Sequence, residues 1–412
     1  MTAIDARQNS LLLPEGARLF HIGLPKTGTT HLQNAAAALR EPLLEHGVLY
    51  PGRTFNHRRE VSSFMGRGWG WGQKPTLEHW ERLQAEIEAD PGNRIWFGHE
   101  FASEASVKTV KRFQEAIGER MHVVVTLRHY GSILASSWQQ YMKMGATVDF
   151  ESWLEAVLAD PPDRSVTRTF HTRNNQGLVL SRWAKIVGAE NVTAIVIDKA
   201  TPNLLTDAFE DLLGLPRDFL TAHEQDGFSS NRGMSVDEAE LLRAVNTELR
   251  RQDLPWSAYE HWMRQGVAGN LMTARKPGDH DAAFELPRWA AEKATERGTR
   301  YADKIEATGV RVVGDLDVLR APARWSDDPV FTVDEVPLEA AKAAVIGAIE
   351  AGLEKGERLE RATGSLAESR EDLKKEQQRR DIEMLERFKA TELASEVARR
   401  AARRVKGLAR RG

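Results

Sequence analysis

A loop near the start of the chain carries the residue types that hold a phosphate group. It reads His21-Ile22-Gly23-Leu24-Pro25-Lys26-Thr27-Gly28-Thr29-Thr30. Lys26 supplies a positive charge and the threonines supply hydroxyl donors, while Gly28 lets the backbone come close to a ligand. An apolar strand precedes the loop and a helix-forming segment follows it, so free backbone N–H groups and a helix N-terminus add partial positive charge at the same place. The pattern predicts a phosphate-binding loop.

The order of residues in this loop differs from that of the usual P-loop. In G-x-x-x-x-G-K-[ST] the lysine follows the second glycine. Here Lys26 lies two residues before Gly28, so the lysine projects from the loop and not from the first helical turn. A plain strand-to-helix turn is the alternative interpretation, but one lysine and three threonines in so short a loop disfavour it.

A second predicted strand ends at two side chains that can exchange protons. Residues 94–98 form a short apolar run, and His99 and Glu100 follow it. The carboxyl ends of parallel strands meet at one edge of a sheet, and ligands bind there. Either side chain could therefore take a proton from a hydroxyl group near the phosphate loop. A helix-capping carboxylate is the alternative for Glu100.

A third predicted strand ends at an arginine. Residues 121–127 are continuous, apolar and rich in β-branched side chains, which indicates a central strand. Arg128 follows, and Ser136 lies two turns into the next predicted helix. A guanidinium group and a hydroxyl group in these places could hold one phosphate together.

The loop from Gly23 to Thr30 resembles the phosphosulfate-binding loop of the sulfotransferases, and with residues 43–51 it is most similar to bacterial members. The resemblance implies a P-loop-type three-layer α/β sandwich around a central parallel sheet. It also implies a metal-free reaction in which 3'-phosphoadenosine 5'-phosphosulfate gives its sulfuryl group to a hydroxyl or an amine. The donor's 5'-phosphosulfate would lie on Lys26, Thr27, Gly28, Thr29 and Thr30.

The resemblance assigns roles to the two strand ends as well. Family members place a glutamate or a histidine near the second strand as the catalytic base, and the bacterial pattern Ser-Ser-Glu stands where this chain has Gly98-His99-Glu100. We therefore expect Glu100 to be the base, with His99 as the alternative, and Lys26 to stabilise the leaving phosphate oxygen. The family's 3'-phosphate site is an arginine followed eight residues later by a serine, which corresponds here to Arg128 and Ser136. The chain departs from the family in having Tyr130 where a proline is common.

Residues 53–75 combine glycines, two tryptophans and five cationic side chains. Aromatic faces can stack on sugar rings, and arginine can bind carboxylate or sulfate. We therefore expect a flexible acceptor-binding loop and a glycan acceptor, although an ordinary surface loop with inward-packed tryptophans fits equally well. The substrate-binding candidates are His57, Arg58, Arg59, Trp69 and Trp71. Another basic stretch, residues 160–175, could lie over the active site, but we expect it to be solvated surface.

Composition limits the class of protein. The chain has 412 residues and a net charge of -3, so its overall charge gives no reason to expect nucleic-acid binding. The absence of cysteine excludes disulfides and thiol catalysis and is consistent with a reducing compartment. There is neither a signal-peptide pattern nor an apolar run near the ~20 residues of a membrane span. We expect a cytoplasmic protein.

The chain divides by composition into a lead-in (1–16), an α/β domain (17–328) and a charged helical extension (329–412). Within the extension, Gly356 and Gly364 predict breaks in the helix. After Glu396 the sequence is basic, so this last helix could touch the inner face of a membrane or an acidic partner, and a solvated tail is the alternative.

Two further function classes stay open at this stage. A P-loop kinase would use ATP and Mg²⁺, with Glu100 as the metal-binding carboxylate, although its lysine would be misplaced. A non-catalytic nucleotide-binding scaffold would assemble partners through residues 330–412.

In a separate stretch, Ser235 and Glu238 have the spacing of a helix capping box.

Overall fold

Six parallel strands form one sheet within the part of the chain that the computed structural model describes, in the order β2-β3-β1-β4-β5-β6. The described residues are 11–70, 72–167, 169–221, 232–278 and 281–408. The strands are β1 (Arg18–His21), β2 (Val48–Leu49), β3 (Arg94–Gly98), β4 (Met121–Leu127), β5 (Val192–Val196) and β6 (Arg311–Val313).

Helices connect the strands and continue beyond the last of them. They are α1 (Thr29–Ala38), α2 (Arg40–Glu45), α3 (Arg58–Met65), α4 (Glu78–Glu88), α5 (Val107–Ile117), α6 (Tyr130–Met142), α7 (Phe150–Leu158), α8 (Phe170–Asn174), α9 (Gln176–Val187), α10 (Leu204–Leu213), α11 (Val236–Arg250), α12 (Trp256–Tyr259), α13 (Ala268–Ala274), α14 (Arg288–Glu306), α15 (Asp317–Arg320) and α16 (Leu338–Leu408). A 3₁₀ turn covers Glu100–Glu104, and a π-helix covers Glu260–Val267.

Both faces of the sheet are covered, as the sequence predicted for an α/β sandwich. On one face Phe20 of β1 packs with Trp183 of α9. On the other face Leu19 belongs to a core that includes Leu32 of α1 and Phe209 of α10. Successive strand residues point to opposite faces, so a buried strand needs apolar residues throughout. β4 is buried along its whole length between β1 and β5, which confirms the predicted central strand.

A third core is helical and lies apart from the two sheet faces. It includes Trp138 of α6, Phe150 and Trp153 of α7, and residues of α11 to α14. The predicted capping box is confirmed at the start of α11. The Ser235 hydroxyl accepts a hydrogen bond from the Glu238 N–H, and the Glu238 carboxylate accepts one from the Ser235 N–H.

The prediction of a flexible loop at residues 53–75 is wrong in part, because residues 58–65 form the helix α3. Val61 and Phe64 are three residues apart, and both are buried. The Phe64 ring packs 4.3 Å from Phe113 and 4.4 Å from Trp80, measured between ring centroids. An apolar pair at helical spacing was thus hidden among the charged residues that surround it.

The breaks predicted at Gly356 and Gly364 are also wrong, because α16 runs without interruption from Leu338 to Leu408. A glycine inside a helix costs only about 1 kcal/mol. One ion pair, from Glu354 to Arg358, spans Gly356, and the next, from Glu357 to Arg361, directly follows this glycine. Each pair has its glutamate on the N-terminal side, the more favourable order in a helix.

The contacts within the chain separate two units, residues 1–348 and residues 349–412. The sequence placed this boundary at 328/329. The first turns of α16 belong to the first unit, because Ala340 and Ala343 are buried in the helical core. A side chain on Gly347 would come within 2.4 Å of the Gly266 carbonyl oxygen, so only glycine allows this close packing. No helix within the described ranges is both long enough and apolar enough to cross a membrane.

Candidate functional site

The loop between β1 and α1 presents a run of free backbone N–H groups. Gly23, Lys26 and Gly28 have φ values of 88°, 66° and 80°, so the backbone reverses direction repeatedly. The N–H groups of residues 26–30 make no hydrogen bond to any residue that the structure describes. Successive free N–H groups in such a concave loop form an anion-binding nest at the N-terminus of α1.

Interactions behind the loop hold it in this shape. The Thr27 side chain is fully buried, and its hydroxyl donates to the Leu24 carbonyl oxygen at 2.5 Å and also contacts the Thr126 hydroxyl of β4. The Arg128 guanidinium donates to the Lys26 carbonyl oxygen at 3.0 Å. The Thr27 side chain therefore supports the loop from behind, which leaves its backbone N–H for a ligand.

The Lys26 amine has no hydrogen bond or ion pair with any described residue. Burial lowers the pKa of Lys26, the Glu100 carboxylate opposes this shift, and Arg128 adds to it. A largely desolvated ammonium group without a partner is unfavourable in a protein that has no ligand to pair with it. The arrangement suits the binding of an anion at Lys26.

Glu100 lies directly beside the loop. It follows β3, and β3 pairs with β1 in parallel, so their two carboxyl ends share one edge. A Cβ atom added to Gly23 would be 2.8 Å from the Glu100 Cβ, so the glycine makes this approach possible. The Thr29 hydroxyl is 3.5 Å from Oε2 of Glu100. The structure thus brings Glu100 to the phosphate loop.

His99 is only 5 % exposed, and one of its ring nitrogens is already engaged. The Phe101 N–H donates to its Nδ1 at 3.2 Å, so the proton of the neutral ring is on Nε2. Burial lowers the pKa of His99 well below its usual value, with Arg58 and Arg173 adding to the shift. A neutral ring in this tautomer offers a hydrogen-bond donor from Nε2 and has no free lone pair for a proton. This geometry favours Glu100 as the base.

Arg128 follows β4, and Ser136 lies two turns into α6, the next helix along the chain. The Gln176 amide fixes the end of β4 by donating to the Arg128 carbonyl oxygen at 2.6 Å. Among the described residues the Arg128 guanidinium has no carboxylate partner, and burial lowers its pKa. The Ser136 hydroxyl donates to the Ile133 carbonyl oxygen at 3.0 Å within α6. The Arg128 guanidinium could therefore bind an anion directly, whereas the Ser136 hydroxyl would first have to give up its hydrogen bond within α6.

Among the acceptor-binding candidates, His57 offers no free ring nitrogen to a ligand. His57 is buried, its Nε2 donates to the Pro51 carbonyl oxygen at 2.8 Å, and its Nδ1 accepts from the Gly98 N–H at 3.3 Å. His57 thus joins the start of α3 to the end of β3. Arg59 is exposed on α3, and Trp71 lies outside the described residues.

Arg58 and Trp69 form part of one cluster. The Arg58 guanidinium carbon lies 4.4 Å from the centroid of the Trp69 ring, and that of Arg264 lies 5.1 Å from it. The indole N–H donates to the Glu260 carboxylate at 3.1 Å. Trp69 therefore supports two cations instead of offering an uncovered ring to a sugar. Glu260 and Arg264 come from the π-helix, in a stretch where the sequence showed no regular helical pattern.

Sequence reasoning missed Lys143, which follows the end of α6. Burial lowers its pKa to about 8, and the positive charges of Lys26, Arg232 and Arg264 contribute in the same direction. Glu238 has the opposite effect. A single lysine after a helix carries no sequence signal, so sequence reasoning had no means of finding it.

The basic stretch 160–175, expected to be solvated, contributes Arg173 to the interior. Its guanidinium pairs with the buried carboxylate of Glu104, which also pairs with Arg67. The Arg173 side chain is 16 % exposed, and its Cζ lies 5.4 Å from the centroid of the Phe101 ring. The expectation of solvated surface is wrong for Arg173, because this side chain forms an ion pair with Glu104, which is distant in the sequence.

Comparison with known proteins gives little further information. No family model matches the sequence, and no curated protein matches it. A solved structure with some similarity is the crystal structure of a sulfotransferase from Alicyclobacillus acidocaldarius, at 17% sequence identity and a TM-score of 0.38. The match covers 60% of this chain and 100% of that chain.

Proposed function

We propose that this protein is a sulfotransferase that uses 3'-phosphoadenosine 5'-phosphosulfate as donor. One observation carries the proposal: five consecutive free N–H groups, at residues 26–30, lie next to two cations without carboxylate partners, Lys26 and Arg128. Such a set suits a ligand with two separate anionic groups. The donor carries a phosphosulfate at one end and a 3'-phosphate at the other.

The loop would hold the 5'-phosphosulfate through its backbone N–H groups, the Lys26 amine and the Thr29 and Thr30 hydroxyls. Arg128 would bind the 3'-phosphate, with Ser136 joining it after rotation of its hydroxyl. The donor has no β- and γ-phosphates for a metal to bridge, so the proposed reaction needs no metal ion.

The transfer joins an acceptor oxygen or nitrogen to sulfur and breaks the bond between sulfur and the 5'-phosphate oxygen. The Glu100 carboxylate takes the proton from the acceptor group. Lys26 offsets the negative charge that develops on the departing phosphate oxygen, and adenosine 3',5'-bisphosphate leaves. Glu100 and the loop are already adjacent, because Gly23 leaves room for the carboxylate side chain.

We propose a glycan as the acceptor. The support is the cluster of Trp69, Arg58 and Arg264 beside the His99–Glu100 strand end, since Trp69 also packs 5.3 Å from Phe101 between ring centroids. Cations and aromatic edges suit a polar, hydroxyl-rich ligand.

Calorimetric titration with adenosine 3',5'-bisphosphate, without added metal, tests the donor assignment. We expect binding that is at least tenfold weaker for adenosine 5'-phosphate, because the latter lacks the group that Arg128 would bind. Arg128→Ala should remove this difference, while Arg120→Ala, a change on the far end of β4, should preserve it.

Equal affinity for the two nucleotides would contradict the proposal. Preference for ATP with Mg²⁺ would indicate a kinase instead. Nucleotide binding without turnover of any acceptor would favour a scaffold, in which case removal of residues 349–412 should abolish partner assembly.

A further inference from the structure

The last part of α16 differs in charge from the rest of this helix. Residues 349–396 mix both signs, and ion pairs four residues apart connect successive turns, as from Glu371 to Lys375 and from Glu376 to Arg380. After Glu396 the sequence has no acidic residue and seven cations, which are Arg399, Arg400, Arg403, Arg404, Lys406, Arg410 and Arg411. We call residues 397–408, which end the described part of α16, the basic segment.

The apolar residues of the basic segment form one row. The backbone is helical as far as Leu408, so positions three and four apart lie on the same face. Val397, Ala401, Val405 and Leu408 follow one another at this spacing. We call these four positions the apolar row.

The cations of the basic segment occupy other positions of the helix. Arg399, Arg403 and Lys406 are also spaced by four and three residues, and their positions lie on the face opposite the apolar row. Arg400 and Arg404 fall at one edge of the row, where a long side chain can lie along apolar surface and keep its charge in a polar layer. A basic face opposite an apolar row is the pattern of helices that lie in a membrane surface.

The first turn of the basic segment is open to solvent. Val397 is 62 % exposed, and the Arg399 and Arg400 side chains are 63 % and 78 % exposed. Both arginines pair with the Glu396 carboxylate, at 3.8 Å and 3.3 Å. Exposed pairs of this kind contribute little to stability, so lipid phosphate can replace the carboxylate at small cost.

Charge and apolar area together select the kind of partner. A second copy of the basic segment would bring cations against cations, and a soluble acidic polymer would leave the apolar row without a partner. An anionic membrane suits both faces, because the acyl boundary takes the apolar row and the lipid phosphates take the cations. Alanine and valine offer little apolar area, so the positive charge has to supply much of the affinity.

We infer that the basic segment binds an anionic membrane surface, with its apolar row in the headgroup region and its cations on lipid phosphate groups. Such binding is peripheral, and it is independent of the donor and acceptor sites of the first unit.

Co-sedimentation of the full-length protein with lipid vesicles tests this inference. One set of vesicles is phosphatidylcholine alone, and the other contains phosphatidylcholine and phosphatidylglycerol in equal parts. We expect at least tenfold tighter binding to the anionic vesicles at about 0.1 M salt, and loss of most of this binding at about 1 M salt.

The charge variant replaces four cations of the basic segment with glutamine, which keeps a similar helix propensity. It carries Arg399→Gln, Arg400→Gln, Arg403→Gln and Arg404→Gln, and its affinity for anionic vesicles should fall at least tenfold. The matched control removes the same charge from the middle of the same helix through Lys374→Gln, Lys375→Gln, Arg379→Gln and Arg380→Gln. Its affinity should stay within twofold of wild type, because acidic residues surround those positions.

The apolar variant keeps every cation and carries Val397→Gln, Val405→Gln and Leu408→Gln. Its affinity for anionic vesicles should fall about tenfold, because the row no longer enters the headgroup region. Leu353→Gln, Leu359→Gln and Leu373→Gln remove three exposed apolar side chains elsewhere in α16 and should have little effect. Circular dichroism checks that each variant keeps its helix.

Equal binding to the two kinds of vesicle, or binding to neither, would overturn the inference. Wild-type affinity in the apolar variant would also overturn it and would indicate an acidic polymer as the partner. A vesicle-free protein that self-associates through the apolar row, with association lost in the apolar variant and vesicle binding retained, would assign the row to a second copy. An equal loss in the charge variant and its matched control would show an effect of net charge alone and would remove the basic segment as the binding surface.

Discussion

Lys26 combines two unfavourable features in one residue. Its φ of 66° is in the left-handed region, where a side chain costs roughly 1–2 kcal/mol. Its ammonium group is largely withdrawn from water without a partner among the described residues. Strain and unpaired charge at one position are typical of functional sites, where the surrounding structure holds them in place.

Lys26→Ala should lower turnover by about 10²-fold or more, because the variant loses a preorganised charge at the leaving group. The measurement is steady-state sulfation of an acceptor at saturating donor, together with thermal unfolding. Thermal stability should not fall, since the change removes a buried charge. Lys111→Ala is the control, and near-complete activity of Lys26→Ala would exclude the lysine from the mechanism.

Glu100→Gln and His99→Asn distinguish the two candidate bases. The glutamine cannot take a proton, so turnover should fall by about 10²- to 10⁴-fold while bisphosphate binding persists. In His99→Asn the new amide oxygen can still accept from the Phe101 N–H, so this variant should keep most of its activity. The reverse result, an active Glu100→Gln and an inactive His99→Asn, would make His99 the base.

The residues that follow strands could be placed from the sequence, because parallel strands bring their ends together. This reasoning located Lys26, Glu100 and Arg128 at one edge. It could not find Lys143 or Arg264, whose positions depend on how α6 and the π-helix pack. It also predicted that His57 binds the acceptor, although both ring nitrogens of His57 are hydrogen-bonded to the backbone groups of Pro51 and Gly98.

At the scale of elements, the parallel sheet was predictable because its strands are short apolar runs between helical segments. The helices that failed prediction are those without a regular pattern. α3 begins with Arg58 and Arg59, and the charged residues conceal its apolar pair. The π-helix Glu260–Val267 shifts the usual spacing of side chains, so a 3.6-residue pattern does not describe it.

The junction of β3 and α3 should be sensitive to acid. Burial lowers the pKa of His57 to about 4, against about 6.5 in the unfolded chain. Between these two pKa values the unfolded state binds more protons than the folded state. The contribution of His57 to the free energy of unfolding is therefore fully present above pH 6.5 and is lost as the pH falls toward 4. The slope from His57 reaches about 1.4 kcal/mol per pH unit.

Urea unfolding between pH 7 and 4.5 measures this slope. His57→Gln should be less stable than wild type at pH 7, because it disrupts the contacts to Pro51 and Gly98, but its stability should depend less on pH. His46→Gln, on the exposed surface, is the control. An unchanged slope in His57→Gln would show that His57 does not contribute to acid sensitivity.

At the scale of the molecule, the two units should respond differently to truncation. A chain ending at residue 348 keeps the buried Ala340 and Ala343 and the Gly347–Gly266 contact, so its Tm should stay within about 2 °C of wild type and its turnover should persist. A chain ending at residue 328 loses these contacts and should unfold at a temperature lower by roughly 4 °C or more. Thermal unfolding of both truncations by tryptophan fluorescence provides the comparison, and equal Tm values would contradict the boundary at residue 348.

The division of the chain also determines what a spectroscopic signal can report. All eleven tryptophans precede residue 349, whereas α16 places much of the helical backbone after it. The ion pairs along that part of α16 are exposed and therefore screened by salt. Tryptophan fluorescence should therefore report the unfolding of the sheet and its cores. Circular dichroism should also report the long helix, which we expect to melt gradually and at a temperature that depends on ionic strength. We therefore expect the two signals to give different melting curves for the whole chain, so a Tm from fluorescence describes the first unit only.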